Sequence, residues 1–303
     1  MGEAAYHIPA LLAETIAGLS IRPDGVYVDC TFGGGGHAGA ILAALGPQGR
    51  LIGFDQDEEA MANIPDDPRF TFVRGNFRFL KNYLRFLGIS RVDGILADLG
   101  VSFHHFDEAE RGFSFRYEGQ LDMRMNRSSE LTAAKVLNTY SEEKLADVLY
   151  FYGELHQSRK IARAIVNARS QQPLEQIRSL MEVLTPFFSR QKEKKDMARV
   201  FQALRIEVNR ELEVLKSLLR QSVEMLNPEG RLAIITYHSL EDRLVKNFMR
   251  AGNFEGIPEK DFYGNVVAPL KAVNQKVIIA GVDEVALNPR SRSAKLRIAT
   301  PSK

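Results

Sequence analysis

Val26-Tyr-Val-Asp29-Cys-Thr-Phe-Gly33-Gly34-Gly35-Gly36-His37-Ala38-Gly39 decides the fold. A β-branched and aromatic run stops in four glycines, and Ala38 to Leu45 then reads as a helix. Strand, tight turn and helix N-terminus follow one another, and such a terminus offers unpaired backbone N–H groups to a polar ligand. Glycine suits the turn because it tolerates positive φ and lets a ligand approach the backbone. After Gly49, Arg50-Leu-Ile-Gly-Phe-Asp55 reads as a second strand ending in a carboxylate suited to ribose hydroxyls. The pattern points to a ligand of nucleotide type.

Two cofactors compete for that turn. Gly34-x-Gly36-x-x-Gly39 satisfies the dinucleotide fingerprint, with Asp55 near the expected spacing of about 20 residues. The same stretch also reads Asp29-x-Thr31-x-Gly33-x-Gly35, which sets a carboxylate on the strand just before the glycines. A carboxylate there suits S-adenosylmethionine, whose ammonium and sulfonium are positive, and would repel the pyrophosphate of NAD. The methyl donor is favoured on charge, although the glycines alone do not decide.

Outward from the turn, strands are expected at Val26–Thr31, Arg50–Asp55, Phe70–Arg74 and Val92–Asp98, with helices at Ala38–Leu45, Asp57–Asn63 and Phe79–Leu87. A further helix is expected over Pro9–Leu19. Alternating strands and helices imply parallel strands with right-handed crossovers, hence a doubly wound α/β sheet. Such sheets bind ligands beyond the carboxyl ends of their strands, where Gly33–His37, Asp55, Phe77 and Asp98 all fall. Phe77 could cover an adenine face. After Gly100 the alternation breaks into a loop rich in arginine and aromatics, followed by a long helical and charged stretch. An all-helical insertion is therefore expected between the fourth and fifth strands. Phe201–Lys216 reads as one amphipathic helix leading back to the sheet, and Arg231–Tyr237 as a buried strand. Ser239 and Asp242 fit a capping box opening the next helix. Two late strands, Lys276–Ala280 and Lys295–Ala299, flank Asn288-Pro-Arg290-Ser-Arg292-Ser, a loop suited to phosphate contacts.

The chain has 303 residues, 45% apolar and 26% charged, with a formal net charge of +2. That is an ordinary globular composition, and a near-neutral chain must meet nucleic acid through local basic patches. One cysteine excludes an internal disulfide framework and fits a reducing compartment. No apolar run approaches about 20 residues, and the first residues lack a signal-peptide pattern, so a cytoplasmic setting is expected. No Cys/His spacing of a metal site appears.

Asp29-Cys-Thr-Phe-Gly-Gly-Gly-Gly-His37, Asp98-Leu-Gly-Val-Ser102, Glu110-Arg-Gly-Phe-Ser-Phe115, Leu121-Asp-Met-Arg-Met125, Thr236-Tyr-His-Ser-Leu-Glu-Asp-Arg243 and Asn288-Pro-Arg-Ser-Arg-Ser293 closely resemble the blocks of the RsmH/MraW family. That family comprises the bacterial small-subunit ribosomal RNA (cytosine-N4)-methyltransferases. The resemblance covers His7 to Ile298. It implies a class I (Rossmann-like) S-adenosylmethionine-dependent methyltransferase sheet, residues 1–103 and 207–303, with an inserted helical substrate-recognition domain at 104–206. It also implies donor contacts at Gly34, Gly35, Gly36, His37, Asp55, Phe77, Asp98 and the position of His105. Family members commonly carry Gln where this chain has His105. The partner implied is small-subunit ribosomal RNA, within the ribosomal subunit.

Cytosine N4 is a weak nucleophile because its lone pair is delocalised into the ring. Transfer needs in-line approach and an acceptor for the proton that is shed. Asp98 is the candidate catalytic residue. Arg111, Arg116, Arg124, His238, Arg290 and Arg292 are candidates for substrate contact. Methylation at cytosine C5 would require a cysteine nucleophile, and Cys30 lies inside the first strand. The rival activities are an NAD-dependent oxidoreductase and an RNA-binding assembly factor with a vestigial cofactor pocket.

Overall fold

The computed structural model describes residues 9–100, 111–274 and 276–302. His7, Ser102 to Glu110 and therefore His105 lie outside the described residues. The chain divides into two compact units, one formed by Met1–Gly100 with Glu213–Lys303 and the other by Val101–Leu212.

The first unit is built on eight strands: β1 (Val26–Asp29), β2 (Arg50–Asp55), β3 (Phe70–Arg74), β4 (Val92–Asp98), β5 (Leu226–Thr236), β6 (Leu270–Ala272), β7 (Ile278–Ile279) and β8 (Lys295–Pro301). They form one sheet in the order β3-β2-β1-β4-β5-β8-β6, with β7 paired to β8. The first five strands are parallel to their neighbours, while β8 runs antiparallel to β5, with Leu232 opposite Ala299. Strand order reverses between β1 and β4, so the crevice available to a ligand lies at their carboxyl ends.

The central strands read as unbroken apolar runs because both faces are covered. On β4 and β5, Ile95, Ala97, Leu232 and Ile234 enter one core with Leu84, Leu218 and Phe248. Their alternates Leu96, Ala233 and Ile235 enter the opposite core with Leu19, Ile41 and Leu42. Helices Leu80–Phe86, Glu211–Met225 and Ser239–Ala251 supply the first layer, and Leu12–Leu19 and Gly36–Ala44 the second. Strand alternation thus separates two helical layers, as a doubly wound sheet requires.

Among its described residues the second unit packs five α-helices, Ala133–Thr139, Glu142–Phe151, Ser158–Gln171, Ile177–Leu184 and Glu193–Asn209, around its own apolar core. Thr132 and Ser141 cap the first two through hydrogen bonds from the backbone N–H groups of Lys135 and Lys144.

Three local expectations change. The single helix expected over 201–216 is two, because Arg210 turns left-handed at φ 52°. Arg205 spans the break with a bidentate pair to Glu211 at 2.8 and 2.9 Å. The capping box at Ser239 does not form. His238 is the N-cap residue, and the Asp242 carboxylate turns instead to Arg297 at 2.7 Å and Lys295 at 3.4 Å on β8. Glu241 takes over at that end by accepting the Tyr237 backbone N–H at 3.0 Å. Finally, the late strand expected at 276–280 shortens to two residues, while β6 and a helix at Val282–Leu287 form where none was expected.

At the amino ends of the strands, Asp93 ties three of them together. Its carboxylate accepts the Val26 N–H at 2.8 Å and the Asn227 side-chain amide at 2.8 Å, and pairs with Arg22. Replacing Asp93 with Ala strands two donors in a largely buried position. A loss of about 2–4 kcal/mol in unfolding free energy is expected, read from denaturant melts. A loss below about 0.5 kcal/mol would remove this knot from the account.

Candidate functional site

The site is assembled from four strand ends. Asp29 closes β1 beside Leu96 of β4, and Asp98 closes β4 beside Ile235 of β5. Asp29 is 1% exposed. Its Oδ1 accepts the Thr31 backbone N–H at 3.0 Å, while Oδ2 is buried with no hydrogen-bond partner. Thr31 links the two acids, because its hydroxyl accepts the Asp98 backbone N–H at 2.7 Å. Asp98 Oδ1 accepts the Tyr237 phenol at 2.8 Å, and its side chain stays 21% exposed.

Burial pushes both carboxyls up to about 7; the charge of Asp55 adds to it at Asp29, and those of Asp29 and Glu241 at Asp98. The Tyr237 hydrogen bond pulls Asp98 the other way, toward ionisation. The Tyr237 phenol is pushed up, by burial and then by the Asp98 charge, so it remains a donor. His37 is 6% exposed, hydrogen-bonds the Ala10 backbone, and is lowered to about 4 by burial. It is therefore neutral, with Nδ1 3.8 Å from Asp98 Oδ2 and Nε2 unpartnered.

The glycines divide their duties. Gly35 holds φ 76° as the N-cap of the helix that begins at Gly36. A Cβ at Gly36 would lie 2.5 Å from the Pro9 ring, so this glycine serves chain packing. A Cβ at Gly34 meets nothing within 4 Å, which leaves its backbone face open. Asp55 faces the same turn, with Oδ2 accepting the Gly33 N–H and Oδ1 the Asp57 N–H, both at 2.8 Å. A carboxylate is the kind of acceptor that ribose hydroxyls require. Phe77 follows β3, half-buried against the core, in a turn started by Asn76, whose side chain accepts the Arg78 N–H. Gly33–His37, Asp55, Phe77 and Asp98 thus stand at four adjacent strand ends.

The arginines separate into two groups. Arg111 is 2% exposed and donates to the Arg124 carbonyl at 2.9 Å. Arg124 forms a bidentate pair with Asp122 at 2.7 and 2.8 Å and also holds the Arg127 and Ser129 carbonyls. Both are engaged in knitting the loop. Arg116, Arg290 and Arg292 are exposed. His238 is 10% exposed, with Nε2 3.1 Å from Glu241 Oε1. The burial of Cys30 pushes its thiol up, which suits packing and not nucleophilic attack.

Thr31 and Tyr237 were missed as site residues. Thr31 stands two residues beyond Asp29, and Tyr237 directly follows the strand beside Asp98, so strand-end position was the available signal.

The donor set fits a cationic nucleoside. An orphaned buried carboxylate oxygen at Asp29 wants a charged donor, and Asp55 can receive hydroxyls. This sheet order, with its reversed eighth strand and acid-lined switch point, defines a Rossmann-like S-adenosylmethionine-dependent methyltransferase.

The MraW methylase family matches residues 4–302. Ribosomal RNA small subunit methyltransferase H from Bacteroides fragilis is 60% identical over 297 residues, covering 98% of both chains. The protein of that name from Bacteroides thetaiotaomicron is also 60% identical, with the same coverage. That from Flavobacterium johnsoniae is 53% identical over 294 residues, 97% of both. The chain belongs to the MraW methylase family, and its methyl donor is S-adenosylmethionine.

Two predictions follow from the charges. The folded chain keeps Asp29 and Asp98 protonated between the ordinary value of 3.8 and about 7, where the unfolded chain has lost those protons. Stability of the free protein therefore falls as pH rises through that window. A bound cation favours the ionised carboxylates, so donor affinity rises with pH toward about 7, by up to about tenfold per unit for each proton released. Calorimetry from pH 5.5 to 8 reads this directly, and Asp29→Asn flattens it; affinity independent of pH in the unaltered protein contradicts it. Separately, Asp55→Ala is expected to weaken the donor by about 1–3 kcal/mol. An indifferent Asp55→Ala, or tight NAD binding, overturns the ribose assignment.

Proposed function

We propose that the chain transfers a methyl group from S-adenosylmethionine to N4 of a cytidine in small-subunit (16S) ribosomal RNA. The carrying observation is 60% identity, over 98% of both chains, to relatives named for small-subunit ribosomal RNA methylation. The site's charge agrees. A buried, orphaned carboxylate at the glycine turn disfavours a pyrophosphate, and with it the NAD alternative. An assembly factor without activity would not need an acid tuned to about 7 at the ligand edge.

The donor supplies an electrophilic methyl on a positively charged sulfur. In our reading Gly34, Gly35, Gly36 and His37 receive it through the turn, Asp29 and Asp98 face its positive groups, Asp55 takes the ribose and Phe77 covers the base. The equivalent of His105 completes this set in the family pattern. Asp98 also acts on the substrate. Tyr237 holds Oδ1, so Oδ2, which accepts no hydrogen bond among the described residues, receives an N4–H. That bond turns the N4 lone pair away from ring conjugation and toward the methyl. As N4 takes the methyl, the methyl–sulfur bond would break with its electron pair left on a neutral thioether, N4 becomes cationic, and its surplus proton passes to Asp98 Oδ2. The target base is unpaired or flipped, because an amine engaged in a base pair cannot meet the methyl in line. Arg116, Arg290 and Arg292 contact RNA phosphates, with His238 nearer the base. The substrate is RNA within the ribosomal subunit, in the cytoplasm; among the described residues no helix is long and apolar enough to cross a membrane.

Small subunits lacking the modification, incubated with labelled donor and digested for mass spectrometry, are expected to yield N4-methylcytidine. Recovery of 5-methylcytidine, or of no labelled base, refutes the proposal. At saturating donor, Asp98→Asn should lose about 100-fold or more in turnover, since an amide keeps hydrogen bonds but takes a proton poorly. Tyr237→Phe removes the bond that favours ionised Asp98, so the acidic limb of the rate profile should move to higher pH. An unmoved limb would restrict Tyr237 to packing. Replacing Arg290 and Arg292 with Ala should weaken RNA binding and flatten its salt dependence while donor affinity holds.

A further inference from the structure

The helical unit contains a cavity of about 530 Å³, of whose lining the chemistry above uses Arg116 alone. That volume falls within the range of small-ligand pockets. One wall is the turn Phe115-Arg116-Tyr117-Glu118, and the other is the face of the helix Ile177–Leu184 that carries Ile177 and Met181. Backbone hydrogen bonds lock the walls together: Leu121 N–H donates to the Glu175 carbonyl at 2.8 Å, and Ile177 N–H to the Gly119 carbonyl at 2.9 Å. Between them, Gln120 and Gln176 form an antiparallel bridge. Phe115 is fixed in turn by an edge-to-face contact with Phe201, ring centroids 5.5 Å apart. The apolar part of the cavity is therefore preformed.

Its polar groups are of two kinds. Arg178 is already matched by Glu182 at 3.2 Å, one helical turn away. The Arg116 guanidinium and the Glu118 carboxylate have no side-chain partner among the described residues, and both are exposed. Between them in sequence stands Tyr117, 45% exposed. An available cation, an aromatic ring and an available carboxylate on three successive residues, beside an apolar floor, match the parts of a nucleotide. The phosphate is an anion, the base presents two π-faces, and its Watson–Crick edge carries N–H donors.

We infer that this cavity binds one unpaired guanosine nucleotide of the substrate RNA. The base stacks on Tyr117 over Met181, its N1–H and N2–H donate to Glu118, and its phosphate meets Arg116. Guanine is preferred because two adjacent N–H groups fit a carboxylate bidentately, whereas the single N–H of uracil lies between two carbonyl acceptors that a carboxylate repels. The inference rests on the RNA-methylating activity proposed above, and it adds a specificity contact made by the helical unit itself.

The test uses the full chain with 5′-GMP and 5′-UMP in calorimetry, and unmodified small subunits in steady-state methylation. GMP should bind about tenfold more tightly than UMP, and Glu118→Gln should erase that preference. Tyr117→Ala and Arg116→Ala should each weaken GMP about tenfold and raise KM for the subunits comparably, with donor affinity unchanged. Because both side chains are exposed, the variants should keep the far-ultraviolet dichroism of the parent. Absence of GMP binding at millimolar concentration, or binding that Tyr117→Ala leaves intact, overturns the inference. GMP binding that these variants abolish without raising KM makes the cavity a free-nucleotide site and equally overturns it. If the parent protein methylates no subunit, it is the activity that fails, and the calorimetry still decides the cavity.

Discussion

The structure depends on two acids buried on neighbouring strands. Asp29 and Asp98 close β1 and β4 at the point where strand order reverses, and Thr31 hydrogen-bonds to both. An unpaired buried carboxylate is costly, and two close together are worse. The fold meets part of that cost through Thr31 and Tyr237 and leaves the rest as raised proton affinity. The site is therefore an acidic recess whose carboxyls ionise when a cation enters, and the positively charged methyl donor is such a ligand.

In the mechanism we propose, that same tension gives Asp98 a place in the chemistry. An acid with its affinity near neutrality can ionise when the donor arrives and still receive a proton from N4 afterwards. Tyr237 matters because it makes the two oxygens unequal: one is held by the phenol and the other accepts no hydrogen bond among the described residues. Gly100 leaves room for the ring, since a Cβ at its φ of 118° would sit 3.2 Å from Tyr237. A turn, a strand end and a ring from the adjacent strand thus converge on one carboxylate.

Much of this was legible in the sequence, for identifiable reasons. The four strands up to Asp98 follow from β-branched runs with polar ends, and their ends mark the ligand edge whatever the loops do. The glycine turn was legible because Gly33 and Gly35 take positive φ, and Asp55 because a carboxylate ends an apolar run. What could not be read came from long-range pairing. Asp242 looked like a cap until β8 brought Arg297 within 2.7 Å of it. The loop carbonyls held by Arg111 and Arg124 were hidden too, because a sequence does not reveal which carbonyls will surround a guanidinium. The break at Arg210 was hidden because the helical periodicity continues on either side of it. Tyr237 and Thr31 joined the site through the register of β1, β4 and β5, which composition does not encode.

Asp29 and Asp98 are expected to hold protons in the free protein and to lose them to solvent when the cationic donor binds. Carbon-13 labelling of the aspartate carboxyls, followed by nuclear magnetic resonance titration with and without S-adenosylmethionine, observes the two groups themselves. The account predicts two carboxyls titrating near 7 in the free protein and both shifting to lower pH when the donor is bound. Two carboxyls titrating near their ordinary value of 3.8 in the free protein, unmoved by the donor, would contradict it.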